Sequence, residues 1–491
     1  MKNYIALFIF CFCIKTINSQ PLNIHPQNPA IFSYKGKPTL LIGSGEHYGA
    51  VMNLDFDYKK YLATLKQHNL NITRLFTGAH HEVAASFGIQ RNTMAPSENR
   101  FIAAWARNDK NVKNTEGMPK YDLEKWDENY FTRLTDFMQT AQVNGVIVEV
   151  NLFSSIYDKS IWALSPLNPK NNIQNLPDSP YQKVYTIENG AFQPFLEAYV
   201  RKIVRALNVF DNFYFEIQNE PWADNGRNVG NWNDYVQGDM LKESWNIWRT
   251  SMDIAHERSL KWQKRIGEII KEEENLLPKK HLISQNYTNY KYPVSSIDPA
   301  INMMSFHYCL PEVVAQNAHF QKPICFNETG FSGSDGNLYR RQAWRFMMSG
   351  GAQFNNLDYS FTVGKEDGTD TTNIAPGQGS PRFRQQLKIL RGYLESFNLI
   401  KLKPDNQSIK ASMGATSFCL SDKATQWAIY CESYERFTLV LSMPKGNYKA
   451  TWLDVLTGKE VGFQALNSVG GDVKIAPKEG FGELALKVVK N

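Results

Sequence analysis

A (β/α)8 barrel followed by a small antiparallel β-sandwich is the architecture this sequence predicts, and three observations predict it. Eight short apolar runs alternate with helical segments between residues 39 and 397. Connections from helix to strand are short, whereas those from strand to helix are long. After about residue 400 the pattern changes to short segments that alternate apolar and polar residues, with turns between them. Strands buried on both faces read as near-continuous apolar runs, and βα alternation packs helices around a parallel sheet. Long loops confined to one end describe a barrel whose C-terminal face is built into a cleft.

The elements follow in order. Residues 20–38 predict a leading hairpin around Tyr34-Lys35-Gly36-Lys37. The eight barrel strands are expected at 39–45, 72–76, 146–153, 213–219, 281–286, 301–308, 324–329 and 352–358. Helices are expected at 57–68, 126–143, 192–207, 242–275, 337–348 and 381–397. Tyr58, Leu62 and Leu65 share one face of the first helix. Asn144-Gly145 stops the second, and Ser380-Pro381 supplies an N-cap and a first-turn proline for the last. Short connections lie at 69–71, 144–145 and 277–280, long ones at about 77–125, 154–190, 220–240 and 359–380. Sandwich strands are expected at 415–420, 426–432, 437–442, 447–453, 472–476 and 482–488. The domain limits are then 20–398 for barrel and hairpin and 399–491 for the sandwich.

Composition narrows the function. Among 491 residues, 42% are hydrophobic and 21% charged, which excludes wholesale disorder. Lys plus Arg number 54 and Asp plus Glu 48, a small and scattered excess that gives nucleic acid no basic face to bind. Aromatics reach 13%, which suits a large core or a cleft of flat rings for ligands with apolar faces. Lys2 and the apolar run at 4–14 predict a secretory leader cleaved near Ser19, so residues 1–19 are read as a signal peptide and the protein as exported. That run is too short to span a bilayer, which takes ~20 residues, and no other membrane span is expected. Cys309, Cys325, Cys419 and Cys431 remain in the mature chain, and spacing alone proves no bridge among them.

The chemistry concentrates at two strand ends. Phe215-Glu216-Ile217-Gln218-Asn219-Glu220-Pro221-Trp222 closes the fourth strand, and proline stops the ladder there. Phe326-Asn327-Glu328-Thr329-Gly330 closes the seventh, which sets Glu328 at the level of Glu220 over the barrel mouth. Two carboxylates facing each other across a cleft suit glycoside hydrolysis, one as proton donor, the other as nucleophile or stabiliser of the anomeric carbon. An arginine such as Arg74 on the second strand would keep Glu328 ionised. Period-two alternation allows only one of His307 and Tyr308 to point inward. Glu46 and His47 end the first strand as candidate hydroxyl binders or a structural polar pair. Glu216 lies one layer below Glu220 and reads as a structural ion pair with Arg74. Trp105, Trp126, Trp162 and Trp222 sit in or near the long loops, suited to cleft lining or loop packing, and Trp222 joins the substrate-binding candidates. His80-His81-Glu82 lacks the helical spacing of a zinc site, and Gly43-x-Gly45-x-x-x-Gly49 has the wrong spacing for a dinucleotide. No metal or organic cofactor is expected.

On these motifs, residues 30–395 resemble the clan A retaining glycoside hydrolases, the superfamily that includes family 5. The resemblance implies Glu220 as general acid/base, Glu328 as nucleophile, Asn219 on the sugar 2-hydroxyl, Arg74 beside the nucleophile, and His307 and Tyr308 near substrate and nucleophile. The tryptophan that the family often carries on the eighth strand is replaced here by Asn355, Asp358 and Tyr359. The implied substrate is a β-linked poly- or oligosaccharide. The alternatives are a non-catalytic carbohydrate-binding barrel and a transglycosylase using the same residues. The sandwich reads as a packing partner of the barrel or a carbohydrate binder, with Trp427 and Trp452 in either role.

Overall fold

In the computed structural model the described residues are 20–110, 112–114, 117–223, 244–288, 293–478 and 482–491; the expected leader lies outside them. The chain opens with β1 (Asn23–His25), β2 (Asn28–Tyr34) and β3 (Lys37–Thr39), an antiparallel sheet that extends the expected hairpin by one strand. Leu22 and Phe32 from this segment cluster with Leu41, Ile72, Ile147 and Met303, the first residues of four barrel strands. The leading sheet thus plugs the N-terminal end of the barrel.

The barrel strands are β4 (Leu41–Gly45), β5 (Ile72–Phe76), β8 (Ile147–Ser154), β9 (Phe213–Asn219), β10 (Ile283–Tyr287), β11 (Met303–His307), β12 (Ile324–Glu328) and β13 (Gln353–Leu357). They pair in parallel in the order β4-β13-β12-β11-β10-β9-β8-β5. The seam between β4 and β5 is closed by Asn71. Its backbone N–H donates to the Ile42 carbonyl at 3.1 Å, its Oδ1 accepts from Ile42 N–H at 2.9 Å, and its Nδ2 donates to the Leu40 carbonyl at 2.8 Å. Gly43 permits that approach, because a Cβ there would lie 2.5 Å from the Ile72 carbonyl oxygen.

Helices α1 (Tyr58–Gln67), α2 (Glu128–Asn144), α4 (Gln193–Leu207), α5 (Ser244–Asn275), α7 (Gly336–Met348) and α8 (Pro381–Glu395) follow their expected positions. Asp57, Asp127, Asp335 and Ser380 cap α1, α2, α7 and α8, and Gly145 ends α2 in the left-handed conformation. The short helix α3 (Lys159–Leu164) and the pair β6 (Trp105–Arg107) and β7 (Tyr121–Trp126) arise in the long connections, and the short helix α6 (Glu312–Asn317) links β11 to β12. Among the described residues no helix is long and apolar enough to cross a membrane.

The C-terminal module comprises β14 (Lys403–Pro404), β15 (Ile409–Ser421), β16 (Gln426–Met443), β17 (Gly446–Asp454), β18 (Glu460–Ser468), β19 (Gly471–Ile475) and β20 (Gly482–Lys490). Segments 426–432 and 437–442, expected as two strands, are one strand of 18 residues whose polar middle stays extended opposite β15. Its first half pairs with β20 and its second with β19. Both halves supply the same core, through Trp427 and Ile429 on one side and Phe437 and Leu439 on the other. Trp427 and Trp452 are buried there, as core residues. Strand β18 was not expected; it is the edge of the sheet, and its apolar Val461 and Phe463 face outward. The module docks on α7 and α8. Trp344 stacks on Tyr430 at 5.1 Å, and Tyr393 Oη donates to the Leu486 carbonyl at 2.7 Å. Arg340 and Arg341 both reach Glu483, Arg340 at 2.6 Å and Arg341 at 2.8 Å. Cys309, Cys325, Cys419 and Cys431 are buried free thiols.

Candidate active site

The site is built upward from one guanidinium. Arg74, buried in the middle of β5, spreads its donors over three carboxylates from three other strands. Nε reaches Glu149 Oε1 at 2.6 Å, Nη1 reaches Glu328 Oε2 at 2.8 Å, and Nη2 bonds Glu216. Asn327 Nδ2 donates to both Glu149 and Glu216 at 2.7 Å, so the floor is cross-braced. One cation cannot neutralise three anions at this depth. Burial and then the Glu149 charge push Glu216 up to about 8, against the pull of Arg74. The ion pair of Glu216 with Arg74 is therefore present, with Glu149 as an unforeseen third member.

A proton held by Glu216 in the folded state alone sets the sign of a stability effect. A carboxyl raised from 4.5 to about 8 stabilises fully below pH ~4.5, and that contribution is lost as pH rises toward 8. The unfolding free energy is expected to fall across that window, and Glu216→Gln is expected to flatten the slope. Urea unfolding at pH 5, 6, 7 and 8 reads both slopes; parallel slopes would refute the assignment.

Two local departures from regular strand geometry aim the upper layer. Phe306 pairs with Phe326, but His307 pairs with Glu328, so β12 carries an extra residue at Asn327. Such a bulge re-aims a side chain beside an active site. Here Asn327 and Glu328 both reach the interior. Tyr308, just beyond β11, has φ +49°, and Glu220, just beyond β9, has φ +45°. Positive φ is costly for such residues and is stored at functional sites. It also overturns the expectation that only one of His307 and Tyr308 faces inward, because Tyr308 has left the strand and alternation no longer applies. Both side chains reach the carboxylates.

Glu328 accepts from Arg74, from Tyr48 Oη at 2.7 Å and from Tyr308 Oη at 2.5 Å, and lies 3.3 Å from His307 Nδ1. Glu220 meets His307 Nδ1 at 2.9 Å through Oε1 and accepts from Tyr157 Oη at 2.9 Å through Oε2. Ligand-type atoms of Glu220, His307 and Glu328 lie within 4.8 Å of one another. That convergence is also the geometry of a three-ligand metal site, but His307 already bridges both carboxylates through a nitrogen. Burial opposes charge on Glu328, yet His307 first, and then Arg74 and Tyr308, hold its carboxyl well below the usual range. Burial likewise opposes charge on His307, but the Glu328 charge and the bonds to both glutamates push it up to about 9.

Glu220, Glu328, Tyr48, Tyr157 and Tyr308 line a cavity of about 370 Å3 with Asn219, His47, Glu82 and the rings of Phe76, Phe87 and Phe331, while Arg74 and His307 lie behind that lining. Asn219 Nδ2 donates to Tyr157 Oη at 2.7 Å and to Ser154 Oγ at 3.2 Å. The structure thus brings Arg74, Asn219, Glu220, His307, Tyr308 and Glu328 together, with His47 on the wall. Glu46 and Trp222 do not line the cavity. The Glu46 carboxylate accepts from Gly49 N–H at 3.0 Å, Ala50 N–H at 3.1 Å and Thr93 Oγ1 at 2.5 Å, which ties two loops together. Trp222 is buried with its ring edge-on to His307 at 5.9 Å. Trp105 stacks on Tyr199 at 4.8 Å and Trp126 packs on Phe131, so both serve loop packing. Trp162 packs against Phe192, and Asp358 is engaged by Arg384 at 2.6 Å. Sequence reasoning missed Glu149, Tyr48 and Tyr157, and weighed Glu82 only as part of the rejected His80-His81-Glu82 metal motif. Of these only Glu149, a lone charge in the apolar run 146–153, carried a readable signal.

No family model and no curated protein sequence matches this chain. Solved structures do match it over nearly its whole length. A candidate glycoside hydrolase from Bacteroides vulgatus aligns with a TM-score of 0.63 at 12% identity, covering 96% of this chain and 83% of that one. A glycoside hydrolase family 5 protein from the same organism gives 0.59 at 11% identity, with 96% and 93% covered. A further glycoside hydrolase gives 0.59 at 12%, with 96% and 97% covered. At such identities the likeness establishes a shared fold, and it extends through the C-terminal module.

Proposed function

We propose that the protein is an exported retaining β-glycosidase that hydrolyses a β-linked poly- or oligosaccharide by double displacement. The observation that carries this reading is the approach of the Glu220 and Glu328 oxygens to within 4.8 Å around His307. Retaining enzymes space their carboxyl groups by ~5–5.5 Å, whereas inverting enzymes need ~6.5–9.5 Å to admit a water. The asymmetry of the pair supports a division of roles. Glu328, held ionised by His307 and Arg74, attacks the anomeric carbon, while Glu220 gives its proton to the departing glycosidic oxygen. Forming the glycosyl ester removes the Glu328 charge, the largest of the influences that raise the pKa of His307. Glu220 then takes a proton from water, whose oxygen attacks the same carbon and releases Glu328. The three neighbours in the fold, all described as glycoside hydrolases, support the same class of substrate.

The test is covalent trapping. A panel of 2,4-dinitrophenyl 2-deoxy-2-fluoro β-glycosides is incubated with the full mature chain. At least one is expected to release dinitrophenol in a burst and leave one sugar mass on the peptide that contains Glu328. Proton NMR of an ordinary aryl β-glycoside is expected to show the β-hemiacetal first. An α-product, or a label on another residue, would overturn the reading; transfer to added alcohols in place of water would convert it to transglycosylation.

A further inference from the structure

We propose that His47 and Glu82 form a recognition site for hydrogen-bond-donating substituents, hydroxyl or ammonium, on the sugar ring that is transferred to Glu328. The proposal rests on the glycosidase reading and specifies which glycone that site accepts. Both side chains line the catalytic cavity, and His47 Nε2 lies 3.3 Å from Glu82 Oε1. The pair stands on the nucleophile's side. Tyr48, next in sequence to His47, donates to Glu328, and the Glu328 charge acts on His47. The leaving group, by contrast, must lie against Glu220 and its partner Tyr157.

Glu82 differs from its buried neighbour Glu46 in a way that points outward. Glu46 spends its oxygens on Gly49, Ala50 and Thr93, lies off the cavity, and burial pushes its carboxyl up to about 7. Glu82 is 5% exposed yet lines the cavity, and against the effect of burial His47, then His80, hold it well below the usual range. A carboxylate offers about four acceptor positions. Glu82 uses one on His47 and one on Asn92 Nδ2 at 2.5 Å, while His80 stands off at 3.8 Å. Joining the loops needs no further acceptor and no second charge, since Glu46 and Thr93 already bind them. His47 itself is fixed by stacking on Tyr48 at 5.5 Å and Tyr359 at 6.1 Å, and its Nδ1 has no partner among the described residues. The wall thus presents a carboxylate with spare acceptor positions to the ring held over Glu328, and a uronate carboxylate there would bring those positions no donor.

The experiment uses 4-nitrophenyl β-glycosides of neutral hexoses and pentoses, their monodeoxy analogues, a 2-amino sugar and a uronic acid. On the best neutral substrate Glu82→Gln is expected to lower kcat/KM about 30-fold, the loss for a hydrogen bond to a charged group. On the one deoxy analogue lacking the contacted hydroxyl the loss is expected to shrink below about threefold. The glucuronide is expected to be the poorest parent substrate and to gain relative rate in the variant. A greater loss on the amino sugar than on every neutral ring would identify ammonium as the preferred donor. Equal losses across all deoxy analogues, no loss at all, or a parent preference for glucuronide would overturn the proposal. The same panel is read as binding to Glu328→Gln protein by saturation-transfer NMR, with and without Glu82→Gln. Discrimination there without hydrolysis by the parent would sink the glycosidase reading and leave the recognition site standing. No discrimination would sink the site alone. If Glu82→Gln fails to fold, Glu82→Asp, which keeps the charge and withdraws it, is expected to give the same substrate-selective loss.

Discussion

Glu328→Ala is expected to cut kcat/KM by at least about 10^4-fold, some 5.4 kcal/mol of barrier at 1.36 kcal/mol per decade. Sodium azide is expected to restore turnover and yield the α-glycosyl azide. The azide occupies the volume of the lost carboxylate and attacks from the same face, but no second displacement follows, so configuration inverts. Glu220→Ala is expected to behave differently. With a dinitrophenyl leaving group, which needs no proton, the first step survives and the glycosyl-enzyme accumulates. Azide then attacks that intermediate from the opposite face and yields the β-glycosyl azide. The two products distinguish the two carboxylates more firmly than any loss of rate. If both variants gave the same anomer, the assignment of roles would fall. Folding should tolerate Glu328→Ala, because its removal lowers the number of carboxylates around Arg74 from three to two. A melting temperature close to that of the parent checks this.

Much of this geometry was legible because strand ends are legible. An apolar run that stops at Asn219-Glu220-Pro221 or at Asn327-Glu328 puts a carboxylate at the barrel rim whatever the loops do. Arg74 could be read for the same reason, as a charge inside ITRLF that burial forces into partnership. What alternation could not give was the conformation one residue past the ladder. Tyr308 and Glu220 take positive φ, and Tyr48 does so with φ +59°. All three therefore deliver side chains that a period of two would send elsewhere. Tyr157 and Glu82 belong to long connections, where position depends on tertiary packing and no periodicity marks it. In the C-terminal module the error had the opposite cause. Ser433-Tyr434-Glu435-Arg436 is polar enough to read as a turn, yet exposed residues can remain extended while both flanks are paired.

Arg74→Met is expected to be the most destabilising single change in the site and to abolish turnover as well. The methionine fills most of the volume, so packing is largely kept, while Glu149, Glu216 and Glu328 lose their shared cation. Breaking a buried ion pair by removing one partner costs about 3–5 kcal/mol, because the remaining charge is left uncompensated. The deficit must depend on pH, and its sign is fixed. After His307, Arg74 is the group that holds Glu328 ionised, and it pulls Glu216 down as well. Without it the folded-state pKa values of both rise, further above the unfolded value near 4.5 in the case of Glu216. Carboxyls raised in the folded state stabilise at low pH and lose that contribution as pH climbs. The variant should thus approach the parent near pH 4.5 and fall progressively behind it toward pH 8 in equilibrium unfolding. Arg74→Lys keeps the charge but cannot place three donors in a fixed plane. It should recover much of the stability and, since one ammonium cannot hold Glu149, Glu216 and Glu328 in register, little of the catalysis. A methionine variant as stable as the parent at pH 8 would mean that Arg74 does not stabilise these carboxylates in the folded state, and the electrostatic account of the site would fall.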